Sequence, residues 1–122
     1  MLPRMWMAAR VLAAIVALEH FYFFVLECFL WNTPFGRRTF GTTPEFADST
    51  AAIMKNQGTY NAVLAVGLAL GLWRGHAHII EFFLACVIVA GVVGAATVKR
   101  SILFVQALPA ALAIAAYLAA TR

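Results

Sequence analysis

Long apolar stretches alternate along the chain with short polar breaks. A helix needs about 20 mostly apolar residues to cross the hydrocarbon of a bilayer. Four windows of that kind are bounded by charges, glycine or proline, and they predict helices over 6–31, 44–73, 78–98 and 101–120. The second is apolar only from about Lys55 onward; Thr43 as N-cap, Pro44 at the first helical position and Glu45 in the first turn start it earlier, at the interface. The links RGHAH and KRS are tight, and short links force antiparallel neighbours. The expected fold is therefore all-α: one membrane domain over 1–122, an antiparallel up-down-up-down bundle of four transmembrane helices with both termini on one side. The long connection, residues 32–43, reads as an interfacial loop broken by Pro34, Gly36 and Gly41, with Phe35, Phe40 and Phe46 anchoring it or its edge.

Composition agrees with that pattern. Of 122 residues, 64% are hydrophobic and 11% charged, far from a soluble globular balance. Arg4 and Arg10 ahead of VLAAIVA resemble a signal peptide, but the apolar run continues to Trp31, too long for a signal core. The formal charge of +4 comes from basic residues at helix ends, with no interleaved aromatic stripe. The bilayer is then the expected partner, and nucleic acid is not. Basic residues divide five (Arg37, Arg38, Lys55, Lys99, Arg100) against four (Arg4, Arg10, Arg74, Arg122) between the two sides, which sets no orientation. A bacterial inner membrane is the expected location. Cys28 and Cys86 differ by about 13 Å in depth, so no disulfide is expected.

Polar residues inside the apolar windows are expensive, and their depth and angle can be counted. From the long-loop side, Glu27 lies about one turn inside Trp31, Gln106 one to two turns inside Arg100, and Glu19 and His20 near the midplane. His20, Glu27 and Trp31 are seven and four residues apart and share a stripe, while Glu19 points about 100° away. Asn56, Gln57, Tyr60 and Asn61 share a face of the second helix, beside Gly58, which allows close approach. Gln106, Pro109 and Tyr117 share a stripe on the fourth. The simplest assembly is a polar cavity lined by Glu27, Asn56, Gln57, Tyr60, Asn61 and Gln106, with His20 as floor and Arg37, Arg38, Lys99 and Arg100 around the mouth. Small residues at Gly67, Gly71, Gly91, Gly94 and Ala95 suit close helix packing.

Other chemistry is weakly signalled. His76, His78 and Glu81 have imaginable ligand spacing but sit in a short interfacial link, where a solvated cluster is the better reading; no metal is expected. No GxSxG, P-loop, GxGxxG, HExxH or CxxC occurs. Haem would need axial ligands on facing helices, and only His20 is deep enough; the residues name no cofactor.

The run NQGTYN at 56–61, with ECFLW before PFGRRTFGTTPEFA and with GAATVKRSILFVQALPA, resembles a small family of integral membrane proteins known as domain of unknown function thirteen-oh-four. The match spans nearly the whole chain. The resemblance implies a four-helix membrane protein whose characteristic residues fall on Glu27, Trp31, Glu45, Asn56, Gln57, Gly58, Tyr60, Asn61, Gln106 and Pro109; it carries no activity.

Two functions fit these residues. In the first, the bundle binds a lipophilic small molecule with a polar head, as a binding protein or an intramembrane enzyme. Glu27 is the acid or base with His20 as proton relay, and Asn56, Gln57, Tyr60, Asn61, Gln106 and Trp31 contact the ligand. In the alternative, the protein is a small proton-coupled transporter acting as a homodimer through Glu19. A structural partner of another membrane complex is the third and plainest reading.

Overall fold

The computed structural model describes residues 2–121, with side-chain surroundings from Trp6 onward; the Arg4 side chain and Arg122, counted above among the helix-end charges, lie outside that set. The described chain is helical, in the order α1 (Leu2–Cys28), α2 (Pro34–Phe40), α3 (Pro44–Arg74), α4 (Ala77–Thr97), a π-helical segment (Leu103–Ala107) and α5 (Leu108–Thr121). Three stretches, Trp6–Cys28, Ala77–Thr97 and Leu103–Thr121, are long and apolar enough to cross a membrane. Helix α3 has 31 residues but falls outside that set. The polar run from Lys55 to Asn61 dilutes its apolar half.

The expected loop at 32–43 holds a helix instead. Thr33 caps α2 by accepting a hydrogen bond from the Gly36 amide at 3.2 Å, and Pro34 sits in its first turn. There the missing N–H costs nothing, so Pro34 starts a helix and does not break one. Gly41 ends it at φ 68°, a left-handed conformation that favours glycine. Gly36 is buried because a Cβ there would run into the backbone carbonyl of Leu30. Thr43 caps α3 through the Phe46 amide at 3.1 Å, and Gly75, also at φ 68°, ends it.

The helix expected over 101–120 is interrupted. The Leu108 amide bonds the Leu103 carbonyl, five residues back. Pro109 has no N–H for the Val105 carbonyl, so the regular ladder fails at this point and one extra residue is accommodated. This places Gln106 inside the π-helical segment.

Helix α1 packs on α3 and α5, α3 on α4, and α4 on α5. Pairs along each seam run in opposite chain directions: Trp31 with Thr50, Cys28 with Lys55 and Glu27 with Asn61; His20 with Gln106 and Trp6 with Tyr117; Gly71 with Ile80 and Gly67 with Phe83; Gly94 with Ile102 and Gly91 with Ala107. The core is built from Ala9, Ala13, Val16, Leu68, Leu84, Val87, Ala110, Ala113 and Tyr117. Its alanines and glycines bring backbones close where no large side chain intervenes. Large apolar side chains face outward, among them Leu18, Val66, Trp73 and Phe82. An outer surface of that kind suits lipid better than water.

Candidate functional site

Among the described residues, two side-chain to side-chain hydrogen bonds join α1 to its neighbouring helices. His20 is fully buried. Its Nδ1 lies 2.8 Å from the Val16 carbonyl, which can only accept, so Nδ1 carries the proton. Its Nε2 then accepts from the Gln106 side-chain N–H at 3.0 Å. The π-helical segment is what aims Gln106 across the α1–α5 seam. The Phe23 ring packs edge-on against the imidazole at 5.2 Å.

The second contact is on the α1–α3 seam, seven residues or about 10 Å along the axis from the first. Asn61 donates from Nδ2 to Oε1 of Glu27 at 2.6 Å. Asn61 is buried, and Glu27 is half-buried. Gly58, one turn earlier on α3, makes the approach feasible: a Cβ there would stand 2.6 Å from Cys28 Sγ and 3.1 Å from Glu27 Cβ. The Cys28 thiol donates to the Lys55 carbonyl at 3.5 Å, tying the same turns together.

The six residues expected around one cavity do not converge on one point. Gln106 belongs to the His20 contact and Asn61 to the Glu27 contact. Asn56, Gln57 and Tyr60 are exposed, Tyr60 at 61%. The i, i+3, i+4 set to which they belong spans more than 100° of helix surface, too wide to face a single neighbour. Further along α3 the continuation of the Gln57–Tyr60 stripe, Gly67, Leu68 and Gly71, is buried. The polar turn is thus the part of that stripe left uncovered. Surface depressions of about 360 Å³ at Gly75–Ile79 and about 370 Å³ between Thr59 and Phe83 include none of Glu27, Asn61, His20 or Gln106.

Trp31 is buried, with its indole N–H donating to Thr50 Oγ1 at 3.0 Å and its ring 4.8 Å from that of Phe40. Those contacts fasten α2 and the start of α3 over the end of α1, and leave Trp31 no free donor for a guest. The pairing of Trp31 with Thr50 and Phe40 was not legible in the sequence, because no periodicity links those positions. Glu19 points away from Glu27, with one carboxylate oxygen buried without a hydrogen-bond partner among the described residues and 3.9 Å from His20 Nδ1. His78 is 97% exposed and 3.8 Å from Glu81. Among the described residues, no three His, Cys, Asp or Glu side chains gather as a metal ion would need.

The chain matches the family model described as "Protein of unknown function (DUF1304)" over residues 14–118, and it belongs to that family. It is 31% identical over 100 residues to "Uncharacterized protein YpaA" of Lactococcus lactis subsp. lactis (strain IL1403), covering 79% of this chain and 84% of the relative. No solved structure matches.

Proposed function

We propose that the protein is a multi-pass integral membrane protein in which α3 also crosses, giving four antiparallel crossings, and that the Glu27–Asn61 seam binds the polar head of a lipophilic small molecule. One observation carries the binding site. Oε1 of Glu27 is held by Asn61, while Oε2 has no partner among the described residues and is not sealed inside as an oxygen of Glu19 is. An acceptor oriented by a buried amide and open toward the outside of an apolar helix seam is suited to a hydroxyl or amine arriving from the lipid. Gln57, exposed next to Gly58 on α3, supplies a further hydrogen-bonding group on the adjacent face. The apolar part of the guest would lie in the lipid, along the outward apolar side chains of the helices. If the guest is chemically converted, Glu27 is the group placed to move a proton.

The fourth crossing is supported by the outward apolar residues of α3, Val63, Val66 and Leu70, and by its antiparallel seams with α1 and α4. Reporter tags at the two ends of the chain test it: four crossings leave both on one side of the membrane, three leave them on opposite sides. For the site, the protein is purified in mild detergent and its organic extract analysed by mass spectrometry. Extracts of Glu27→Gln and Asn61→Leu should lose a lipophilic component that wild type retains; identical extracts refute the binding site.

A second reading, a proton-coupled transporter working as a homodimer, draws on Glu19, whose buried oxygen has no hydrogen-bond partner among the described residues. Substrate-driven proton movement in proteoliposomes that disappears in Glu19→Gln would favour it; no movement across a broad cation panel would dismiss it.

A further inference from the structure

A groove lies on the outer side of the α3–α4 seam, away from the Glu27–Asn61 contact. The seam is closed at Gly71, where a Cβ would meet Ile80, and at Gly67, where a Cβ would meet the Phe83 ring. From Gly67 toward Lys55 it opens into the depression of about 370 Å³ lined by Thr59, Ala62, Val63, Val66, Gly67 and Phe83. The one hydroxyl among these six side chains, Thr59 Oγ1, is turned back onto the Lys55 carbonyl at 2.8 Å, so the lining is apolar. Val63 and Val66 are exposed, which leaves the groove open on its outer side.

Its depth follows from a neighbouring contact. The Cys28 thiol, at the end of the apolar stretch Trp6–Cys28, donates to the Lys55 carbonyl, and this sets Lys55 at the edge of the hydrocarbon. The α3 wall runs inward from Thr59 to Gly67, eight residues or about 12 Å. One leaflet of hydrocarbon is about 15 Å deep. The groove thus has the depth and length of an acyl chain in the leaflet on the Lys55 side.

Charged side chains continue the same stripe outward. On the helix wheel Lys55 lies within about 20° of Ala62 and Val66, and Asp48 within about 20° of Lys55. Both are exposed. A lysine stem lies along apolar surface and carries its ammonium outward, toward the level of Asp48. Read outward along α3, the stripe is apolar groove, positive charge, negative charge. That is the order of acyl chain, phosphate and ammonium in a phospholipid with an ethanolamine head. We propose that the groove is a site for such a lipid: one acyl chain lies between Thr59 and Phe83, the phosphate meets Lys55, and the ammonium meets Asp48. A glycerol head offers Asp48 no positive charge, so charge complementarity selects against it. The site rests on α3 crossing the membrane, as proposed above, and not on the Glu27–Asn61 site.

An open groove exchanges its occupant with bulk lipid, so photo-crosslinking of the full-length protein in phosphatidylcholine nanodiscs is the suitable assay. Two probes carry the same diazirine-bearing acyl chain and differ only in the head, phosphoethanolamine or phosphoglycerol. In the wild type, adducts on Phe83 and on residues 59–67 should be several-fold more abundant with the ethanolamine probe, while adducts on outward-facing Leu18 of α1 should not differ. Lys55→Gln should remove most groove adducts, and Asp48→Asn should bring the two probes to parity. Val66→Trp, which fills the groove from an exposed position, should suppress labelling of Phe83 by both. Glu27→Gln should label as wild type does, which separates this site from the Glu27–Asn61 site, and the end tags decide the crossing of α3 independently. The proposal is overturned if both probes label the groove equally in the wild type, if Lys55→Gln leaves groove labelling unchanged, or if Asp48→Asn leaves the preference intact.

Discussion

Gly58→Ala is a sensitive probe of the seam that carries Glu27. The new Cβ would lie 2.6 Å from Cys28 Sγ, 3.1 Å from Glu27 Cβ and 3.3 Å from the Cys28 backbone nitrogen. Comfortable contacts between such atoms begin near about 3.5 Å, so the overlap with sulfur is close to about 1 Å. Cys28 can relieve part of it by turning its side chain, at the expense of the thiol bond to the Lys55 carbonyl. Overpacking of this kind costs about 1–3 kcal/mol. Against it stands the better helix propensity of alanine over glycine, about 1 kcal/mol. The expected net loss is up to about 2 kcal/mol. In a Cys28→Ala background the worst clash is gone, and Gly58→Ala should be neutral or stabilising by up to about 1 kcal/mol. A double-mutant cycle, read by reversible unfolding in mixed micelles, should then show a coupling of about 1–2 kcal/mol between the two positions. The close approach of α1 to Gly58 is refuted if Gly58→Ala stabilises the otherwise wild-type protein and the two substitutions simply add.

Three further outcomes follow from neighbouring contacts. Gly91→Ala should be more damaging than Gly58→Ala, about 3 kcal/mol in the same unfolding assay, because its Cβ would meet Ala107 backbone atoms at 2.8 and 3.0 Å, which cannot rotate away. Trp31→Phe should cost about 1–2 kcal/mol and should be strongly non-additive with Thr50→Val, since both remove the same hydrogen bond. Gln106→Leu should destabilise by about 1–3 kcal/mol by leaving the buried His20 Nε2 without its donor, and nitrogen NMR of the wild type should find the His20 proton on Nδ1; a proton on Nε2 would contradict the Gln106 contact as described.

The limits of α3 and α4 were legible because the signals at Thr43, Pro44 and the RGHAH and KRS links are local, whereas α1 ends at Cys28, short of the expected Trp31. Helix α2 was hidden by the same residue type that revealed α3: Pro34 after Thr33 is a helix start, but in a run with Gly36 and Gly41 it reads as a breaker. Glu27 and Asn61 could be matched by counting depth from a shared membrane face, which needs only helical rise and antiparallel packing. Angle was less dependable. Asn56, Gln57 and Tyr60 shared a face with Asn61 in the wheel sense, yet only Asn61 and Gly58 sit where α1 approaches. Gln106 turned to His20 and not to Glu27 because a π-helical segment rotates the helix ahead of Pro109, a change that uniform 100° steps do not include.

The most direct test of the Glu27–Asn61 site is native mass spectrometry of the protein released from lipid nanodiscs, comparing wild type with Glu27→Gln and with Cys28→Ala. Wild type and Cys28→Ala should carry the same bound mass, and Glu27→Gln should lose it while its helical content is unchanged. A bound mass equally retained in Glu27→Gln, or found in none of the three, would contradict the site.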